Sequence, residues 1–210
     1  MKWLETLFHN NRAWADSKSE HNPSFFETLS ETQRPNYLWI GCADSRVPAN
    51  EIVGLDAGEL FVHRNVSNMV QHTDTNCWSV IQYAVEALHI EHIIVCGHYQ
   101  CGGIISAMGN SSFGLIDHWL MNIREIYAQN RDELESIMNR RDRIDRLCEL
   151  NVKTQIRNLA HSAIVQKAWS RGQNLALHGW MYNLKNGLLT DLGASCNQLA
   201  GVDLIYKYEV

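Results

Sequence analysis

The sequence predicts a single α/β domain of 210 residues, built on a mostly parallel sheet with flanking helices and with an N-terminal helical arm at residues 1–35. Short apolar runs at residues 37–41, 60–63 and 92–97 are typical of buried strands. A helical pattern of apolar residues at 74–88 connects the last two runs. Strands that are apolar throughout and are joined by a helix are typical of a parallel sheet with crossovers.

The N-terminal arm is predicted to consist of two helices. In the first 20 residues Trp3, Leu4, Leu7 and Phe8 recur at helical spacing, and residues 23–33 suit a second, shorter helix. A helix as short as the first one is marginal when it stands alone. We therefore expect the arm to pack against another protein surface, which a partner subunit could supply.

The second half of the chain is predicted to add three helices, a hairpin and a last strand. The helices are expected at residues 115–130, 131–148 and 151–169. Residues 175–182 and 188–191 suit the two strands of a hairpin, because Asn186-Gly187 between them is a strong turn signal. Residues 202–208 are expected to form the last strand.

Composition and charge exclude several classes of protein. Hydrophobic residues make up 45% and charged residues 20% of the chain, which excludes wholesale disorder. A formal net charge of −5 makes binding to nucleic acid or to an anionic membrane improbable. No apolar run approaches the roughly 20 residues that a membrane span needs. The first 20 residues lack the apolar stretch of a signal peptide, so we expect a cytoplasmic protein with six reduced cysteines.

Two predicted strands run directly into residues that bind metals. Cys42, Asp44 and Arg46 follow the first strand, and His98 and Cys101 follow the third. The carboxyl ends of parallel strands border one crevice, so Cys42, His98 and Cys101 are expected to meet there. Two thiolates and one imidazole suit Zn²⁺, and three protein ligands leave a fourth position open, as in catalytic zinc sites.

Asp44 and Arg46 add a possible switch to this site. The Asp44 carboxylate can compete for the fourth position, and a bidentate ion pair with Arg46 can hold it away. The other histidines and cysteines are interpreted as structural. A rival pair on the third strand, His92 and Cys96, is interpreted as core or sheet surface, and three further cysteines are interpreted as structural thiols: Cys77, Cys148 and Cys196.

These motifs resemble a known family. Cys42-Ala43-Asp44-Ser45-Arg46, followed by His98-x-x-Cys101-Gly102-Gly103, is similar to the two signature motifs of β-class carbonic anhydrases. Segments at residues 33–35, 58–65, 79–84, 169–172 and 178–180 also look like family segments. The resemblance extends from residue 1 to about residue 190 and is to the bacterial branch, for which the C-terminus is short.

The resemblance implies an enzyme that uses one Zn²⁺ per chain, held by Cys42, His98 and Cys101. Hydroxide formed at the zinc would attack carbon dioxide and give bicarbonate and a proton, reversibly. Two thiolates donate more charge to zinc than imidazoles do, so we expect a mildly alkaline pH optimum. The family also implies a homodimer or a homotetramer whose dimer interface borders the active site.

The resemblance further implies residues for substrate and for an effector. The apolar wall of the carbon dioxide pocket would be formed by Phe61, Val66 and Tyr83, and Gln33 would reach the substrate from a neighbouring subunit. The backbone N–H of Gly102 is a candidate donor to bicarbonate or to Asp44. A second, inhibitory bicarbonate, which would break the Asp44–Arg46 pair, would bind at four residues: Trp39, Val47, Arg64 and Tyr182.

Two other functions stay open on the sequence alone. The same zinc centre could hydrolyse carbonyl sulfide or carbon disulfide, as related proteins of this fold do. Alternatively, the chain could be a non-catalytic zinc-binding or redox-sensing protein whose thiols respond to oxidant. The sequence disfavours the second alternative, because Asp44 and Arg46 would then have no role.

Overall fold

The structure is a computed structural model that describes residues 2–209. The chain divides into two compact units, one up to Arg34 and the other from Pro35 onwards. The first unit contains helix α1 (Lys2–His21) and helix α2 (Phe25–Glu31), as the sequence predicts for the arm. Within it, the Trp14 ring packs edge-on against the Phe26 ring, with 5.6 Å between centroids.

The second unit is built on a five-stranded sheet in the order β2-β1-β3-β4-β5. Its strands are β1 (Tyr37–Cys42), β2 (Leu60–Asn65), β3 (His92–His98), β4 (Ala176–Asn183) and β5 (Leu188–Asp191). Strands β1 to β4 pair in parallel, and β5 pairs antiparallel with β4. The mostly parallel sheet and the hairpin at residues 186–187 are therefore confirmed.

Seven helices of the described chain flank this sheet. They are α3 (Ala49–Val53), α4 (Thr75–Gln82), α5 (Gly102–Ala107), α6 (Ile116–Gln129), α7 (Arg131–Ser136), α8 (Arg140–Ala160) and α9 (Ala163–Ser170). A π-helical turn, Tyr83–Ala87, extends α4 and completes the helix expected between β2 and β3. Short 3₁₀ turns lie at Val66–Asn68 and Leu204–Tyr206.

Two predictions about the elements are wrong. Helices were expected at 131–148 and 151–169, but the first is interrupted at residues 137–139, and α8 then runs through residues 148–151. The next break comes at Ser162, whose side chain caps α9 by accepting from Val165 N–H. The last strand, expected at 202–208, is absent from the described chain. The side chain of Gln166 instead donates to Tyr206 O and accepts from Tyr208 N–H, so this segment bonds to a helix side chain rather than to a strand.

The main core lies between the sheet and its covering helices. Leu38, Ile40, Ile93 and Val95 of the central strands are fully buried there, together with residues of α8 such as Leu159. Each such side chain contributes about 1.5–3 kcal/mol through burial, so strands β1 and β3 are firmly fixed side by side. Among residues 2–209, no helix has both the length and the apolar character that crossing a bilayer requires.

Candidate metal centre

Three buried side chains converge where β1 and β3 end. Cys42 is the last residue of β1, His98 is the last residue of β3, and Cys101 immediately precedes α5. The parallel register, which pairs Gly41 with Cys96, brings both strand ends to one edge of the sheet. The metal-binding atoms of the three residues all lie within 4.8 Å of one another, and the two sulfur atoms are 3.8 Å apart.

The chemistry of these donors fits a zinc ion. His98 Nδ1 donates to the carbonyl oxygen of Tyr99 at 3.1 Å, which leaves Nε2 as the nitrogen with a free lone pair. This Nε2 is buried and has no hydrogen-bond partner in the described chain, so a cation would satisfy it. Two sulfurs and one imidazole nitrogen are a ligand set that zinc accepts in tetrahedral geometry.

The two cysteines are coupled by a hydrogen bond between their sulfur atoms. Their mutual hydrogen bond raises the pKa of Cys42 to about 12 and lowers the pKa of Cys101 to about 6. The hydrogen bond between the thiols therefore favours keeping one proton on the pair, because it disfavours the form with two thiolates. A divalent cation that binds thiolates displaces such a proton, so metal affinity at this pair increases with pH.

Asp44 lies beside this cluster and is held by Arg46. The Arg46 Nε and Nη2 donate to the two carboxylate oxygens at 2.9 and 2.7 Å. This bidentate pair lowers the pKa of Asp44, so the side chain stays a carboxylate. Its Oδ2 is only 3.6 Å from His98 Nε2. Asp44 is thus close enough to compete for a metal, and the ion pair restrains it.

Ser67 contacts both cysteines, although no sequence motif selects it as a site residue. Its N–H donates to Cys42 Sγ, and its Oγ lies within hydrogen-bond distance of Cys101 Sγ, both at 3.4 Å. The residue is fully buried and has a φ of 66°, which is rare for a side-chain-bearing residue. Asn151 of α8 donates to Ser67 O at 2.9 Å and thereby holds this turn in place.

The four predicted effector residues fall into two pairs. Arg64 and Val47 both donate to the carbonyl oxygen of Asp44, at 2.5 and 3.1 Å. Trp39 is fully buried and Tyr182 is partly buried, and both belong to a small apolar cluster. The indole Nε1 of Trp39 is buried without a hydrogen-bond partner among residues 2–209.

The predicted substrate residues lie in different surroundings. The rings of Phe61 and Tyr83 are in contact, with 5.9 Å between centroids, and Val66 is partly exposed. Gly102 is the first residue of α5. Gln33 is exposed and belongs to the first unit, and its predicted contact with substrate stays a prediction.

A second group of potential ligands is explained by its structural contacts. His63, Asp74 and Cys77 also have donor atoms within 4.8 Å of one another. Asp74 caps α4 by accepting from the N–H groups of Asn76 and Cys77. Burial raises the pKa of Cys77 to about 12, which disfavours the thiolate form. We therefore interpret this group as structural.

The sequence profile of a protein family described as "Carbonic anhydrase" matches residues 37–189, which is most of the chain and includes every residue of the metal cluster. The chain belongs to the carbonic anhydrase family. A carbonic anhydrase from Emericella nidulans is 47% identical over 204 residues, which cover 97% of this chain and 90% of that protein. As a member of this family the chain is an enzyme, a carbonate dehydratase.

Solved structures of β-carbonic anhydrases share this fold. One of two tetrameric β-carbonic anhydrases from the filamentous ascomycete Sordaria macrospora matches with a TM-score of 0.90 and 36% identity, covering 93% of this chain and all of that chain. A β-carbonic anhydrase from Coccomyxa, in complex with acetazolamide, gives a TM-score of 0.90 and 38% identity, covering 94% and 89%. The β-class is therefore confirmed. The bacterial branch stays a prediction, because two of the three relatives named here are fungal.

Proposed function

We propose that the chain hydrates carbon dioxide reversibly, giving bicarbonate and a proton, at a zinc ion held by Cys42, His98 and Cys101. The observation that carries this proposal is the convergence of three buried donor atoms within 4.8 Å beside a restrained carboxylate. Zinc supplies Lewis acidity, which makes hydroxide available near neutral pH as the nucleophile for carbon dioxide. Because two thiolates reduce this acidity, a mildly alkaline optimum is expected.

The protein groups around the ligands have distinct tasks in this proposal. The Tyr99 carbonyl keeps the proton of His98 on Nδ1, so that Nε2 faces the cation. The Ser67 N–H and hydroxyl share the charge of the two thiolates. Arg46 keeps Asp44 ionised and turned aside, which leaves the fourth metal position to solvent. The N–H of Gly102 is the proposed donor to bicarbonate.

Carbon dioxide is small and apolar, so an apolar wall suits it better than a polar one. We propose that Phe61, Val66 and Tyr83 form this wall, which the ring contact between Phe61 and Tyr83 supports. The Gln33 amide of a neighbouring subunit is proposed to donate to the substrate. Replacing Gln33 by Ala should then raise the KM for carbon dioxide and leave the zinc content nearly unchanged.

A second bicarbonate is proposed to act as an inhibitor at Trp39, Val47, Arg64 and Tyr182. Arg64 and Val47 both hold the Asp44 backbone, so an anion that recruits Arg64 would loosen the Asp44–Arg46 pair and let Asp44 turn to the metal. The unpartnered Nε1 of Trp39 is a donor suited to an anion. Steep inhibition by bicarbonate at fixed ionic strength, abolished by Trp39→Phe, would support this; simple saturation in both proteins would contradict it.

The main proposal is tested by measuring carbon dioxide hydration and zinc content together. We expect about one zinc per chain in the native protein. Cys42→Ala should lose zinc and activity together, whereas Cys96→Ala, a matched control at another buried cysteine, should keep both. Acetazolamide, which is bound to the Coccomyxa relative, is expected to inhibit hydration. A native protein that holds zinc but hydrates no carbon dioxide from neutral to alkaline pH would refute the proposal.

Hydrolysis of carbonyl sulfide or carbon disulfide remains the alternative chemistry for this centre, and comparing turnover on these substrates with carbon dioxide decides between them. A redox-sensing role leaves the Asp44–Arg46 pair without a task. The cytoplasmic location stays a prediction.

A homo-oligomer is also proposed. The Sordaria structures are tetrameric, and α1 exposes large apolar side chains, Trp3 by 87% and Phe8 by 77%. We propose that this helix packs on a partner subunit. Sedimentation of the chain with Trp3→Ser and Phe8→Ser should show dissociation, and an unchanged mass would contradict this.

A further inference from the structure

A cleft adjoins the candidate metal centre. It has a volume of about 340 Å³ and is bordered by Arg46, by Gln100 of the loop between two metal ligands, and by Arg141 and Asp145 of α8. Lys185, in the turn between β4 and β5, completes this wall. The cleft therefore touches the machinery of the centre through Arg46, but neither Cys42, His98 nor Cys101 lines it.

Positive charge dominates this cleft. Three of its residues are cations, and the one carboxylate among its lining residues, Asp145, already accepts from Gln100 N and Nε2 at 3.2 and 2.6 Å. The side chains of Arg141 and Lys185 are exposed and form no hydrogen bond or ion pair with any part of the chain that the structure describes. The cleft thus offers many hydrogen-bond donors and few free acceptors.

Such a set of donors recognises a ligand that only accepts hydrogen bonds. Guanidinium groups bind phosphate oxygens in pairs, and lysine adds a compact positive charge. The volume lies in the range of small-molecule sites, which is about 300–1,000 Å³, and exceeds what bicarbonate alone would fill. We propose that this cleft binds a phosphate dianion, either free or as the end group of a small organic phosphate.

This ligand would share Arg46 with Asp44. Arg46 makes two side-chain bonds to that carboxylate, yet 61% of its side-chain surface is exposed and available to a ligand in the cleft. A phosphate that attracts the guanidinium weakens its hold on Asp44, whose Oδ2 lies 3.6 Å from His98 Nε2. Phosphate is therefore an inhibitor here; this consequence, unlike the binding itself, rests on the proposed carbonic anhydrase reaction. Coupling is reciprocal, so a ligand at the metal that displaces Asp44 opposes phosphate binding.

The binding is tested by calorimetry on the zinc-loaded full chain at neutral pH and fixed ionic strength. The probes are inorganic phosphate and glycerol phosphate, which separate a free ion from an organic ester. Arg141→Gln with Lys185→Gln is compared with Arg140→Gln with Lys167→Gln, which removes the same charge outside the cleft. We expect Arg141→Gln with Lys185→Gln to weaken phosphate binding by at least about tenfold, since each of these two substitutions removes a charge-assisted donor from the cleft.

The outcomes separate the cleft from the metal and from the reaction. The proposal is supported if phosphate binds to the native chain and to the control variant but not to the cleft variant. The probe that binds more tightly, inorganic phosphate or glycerol phosphate, then shows whether the ligand is a free ion or an ester. Equal affinity in both variants, or no binding by the native chain, overturns it. Hydration that phosphate inhibits in the native chain but not in the cleft variant supports the coupling through Arg46, and bound phosphate without inhibition refutes that coupling. A native chain that binds phosphate but hydrates no carbon dioxide refutes the proposed reaction and leaves the cleft established.

Discussion

Replacing Gly103 by alanine tests the close approach of α5 to the turn that carries Ser67. A Cβ at Gly103 would clash with Ser67 Oγ and would lie 2.9 Å from Val66 Cγ1, both closer than van der Waals contact allows. Rotation of the Ser67 side chain would relieve the first clash only by moving Oγ away from Cys101 Sγ. The neighbouring Gly102 is a matched control, because in the described chain its Cβ would meet no heavy atom within 4 Å.

The two substitutions should therefore have different effects on the free energy of unfolding. Overpacking costs about 1–3 kcal/mol, and Gly103 is half-buried against Ser67 and Val66, so Gly103→Ala is expected to lower the free energy of unfolding by that amount. Alanine is a better helix former than glycine, so Gly102→Ala should leave the free energy of unfolding unchanged or raise it by up to about 1 kcal/mol.

Urea unfolding of the zinc-free chain, followed by tryptophan fluorescence, measures the free energy of unfolding of both variants without a contribution from metal binding. Zinc affinity, measured separately, should fall in Gly103→Ala alone. Equal stability of the two variants would show that Gly103 of α5 does not lie against Ser67.

Three further substitutions test the surroundings of the centre and one loop. Ser67→Ala removes a hydroxyl 3.4 Å from a thiol, and the sulfur-to-metal charge-transfer band of the cobalt-substituted protein should shift to lower energy. Gln155→Leu leaves the buried N–H of Val70 without its 2.8 Å acceptor, and should cost about 1–3 kcal/mol in urea unfolding. The pKa of Asp117 is lowered, mainly by the hydrogen bond from the Ser112 hydroxyl. The ionised carboxylate therefore stabilises the fold above about pH 4, and this contribution is lost as the pH falls. In Asp117→Asn the free energy of unfolding should fall less steeply at acid pH.

Each of these three predictions would be contradicted by a specific result. An unshifted band in Ser67→Ala would mean that the hydroxyl does not bond to the thiolate. Full stability of Gln155→Leu would mean that Val70 N–H finds another acceptor. An acid profile of Asp117→Asn that parallels the native one would assign the acid sensitivity to other carboxylates.

The fold and the ligand cluster are largely predictable because strong local signals coincide with them. The apolar runs at residues 37–41 and 92–97 each end at a potential ligand, and parallel pairing alone then brings Cys42 and His98 together. The ion pair of Asp44 with Arg46 is a short-range feature of the same loop. These inferences need no knowledge of distant packing.

Ser67 and the C-terminal segment were missed for the opposite reason. The φ of Ser67 is positive because α8 and α5 hold its turn against two thiols, and no periodicity in the sequence reports such a contact. Residues 202–208 have the composition of a strand, yet Gln166 offers both a donor and an acceptor to their backbone. Tertiary contacts outweigh local propensity at both places.

A continuous set of buried amides links the candidate centre to the longest helix of the second unit. Asn151 donates to Ser67 O, Gln155 donates to Asn151 Oδ1, and Gln155 accepts from Val70 N–H. The turn at residues 66–70 therefore cannot open while α8 keeps its place. The amide protons of Ser67 and Val70, which donate to Cys42 Sγ and Gln155 Oε1, should exchange with solvent only when the whole unit unfolds, which makes the centre part of the most slowly exchanging region of the protein.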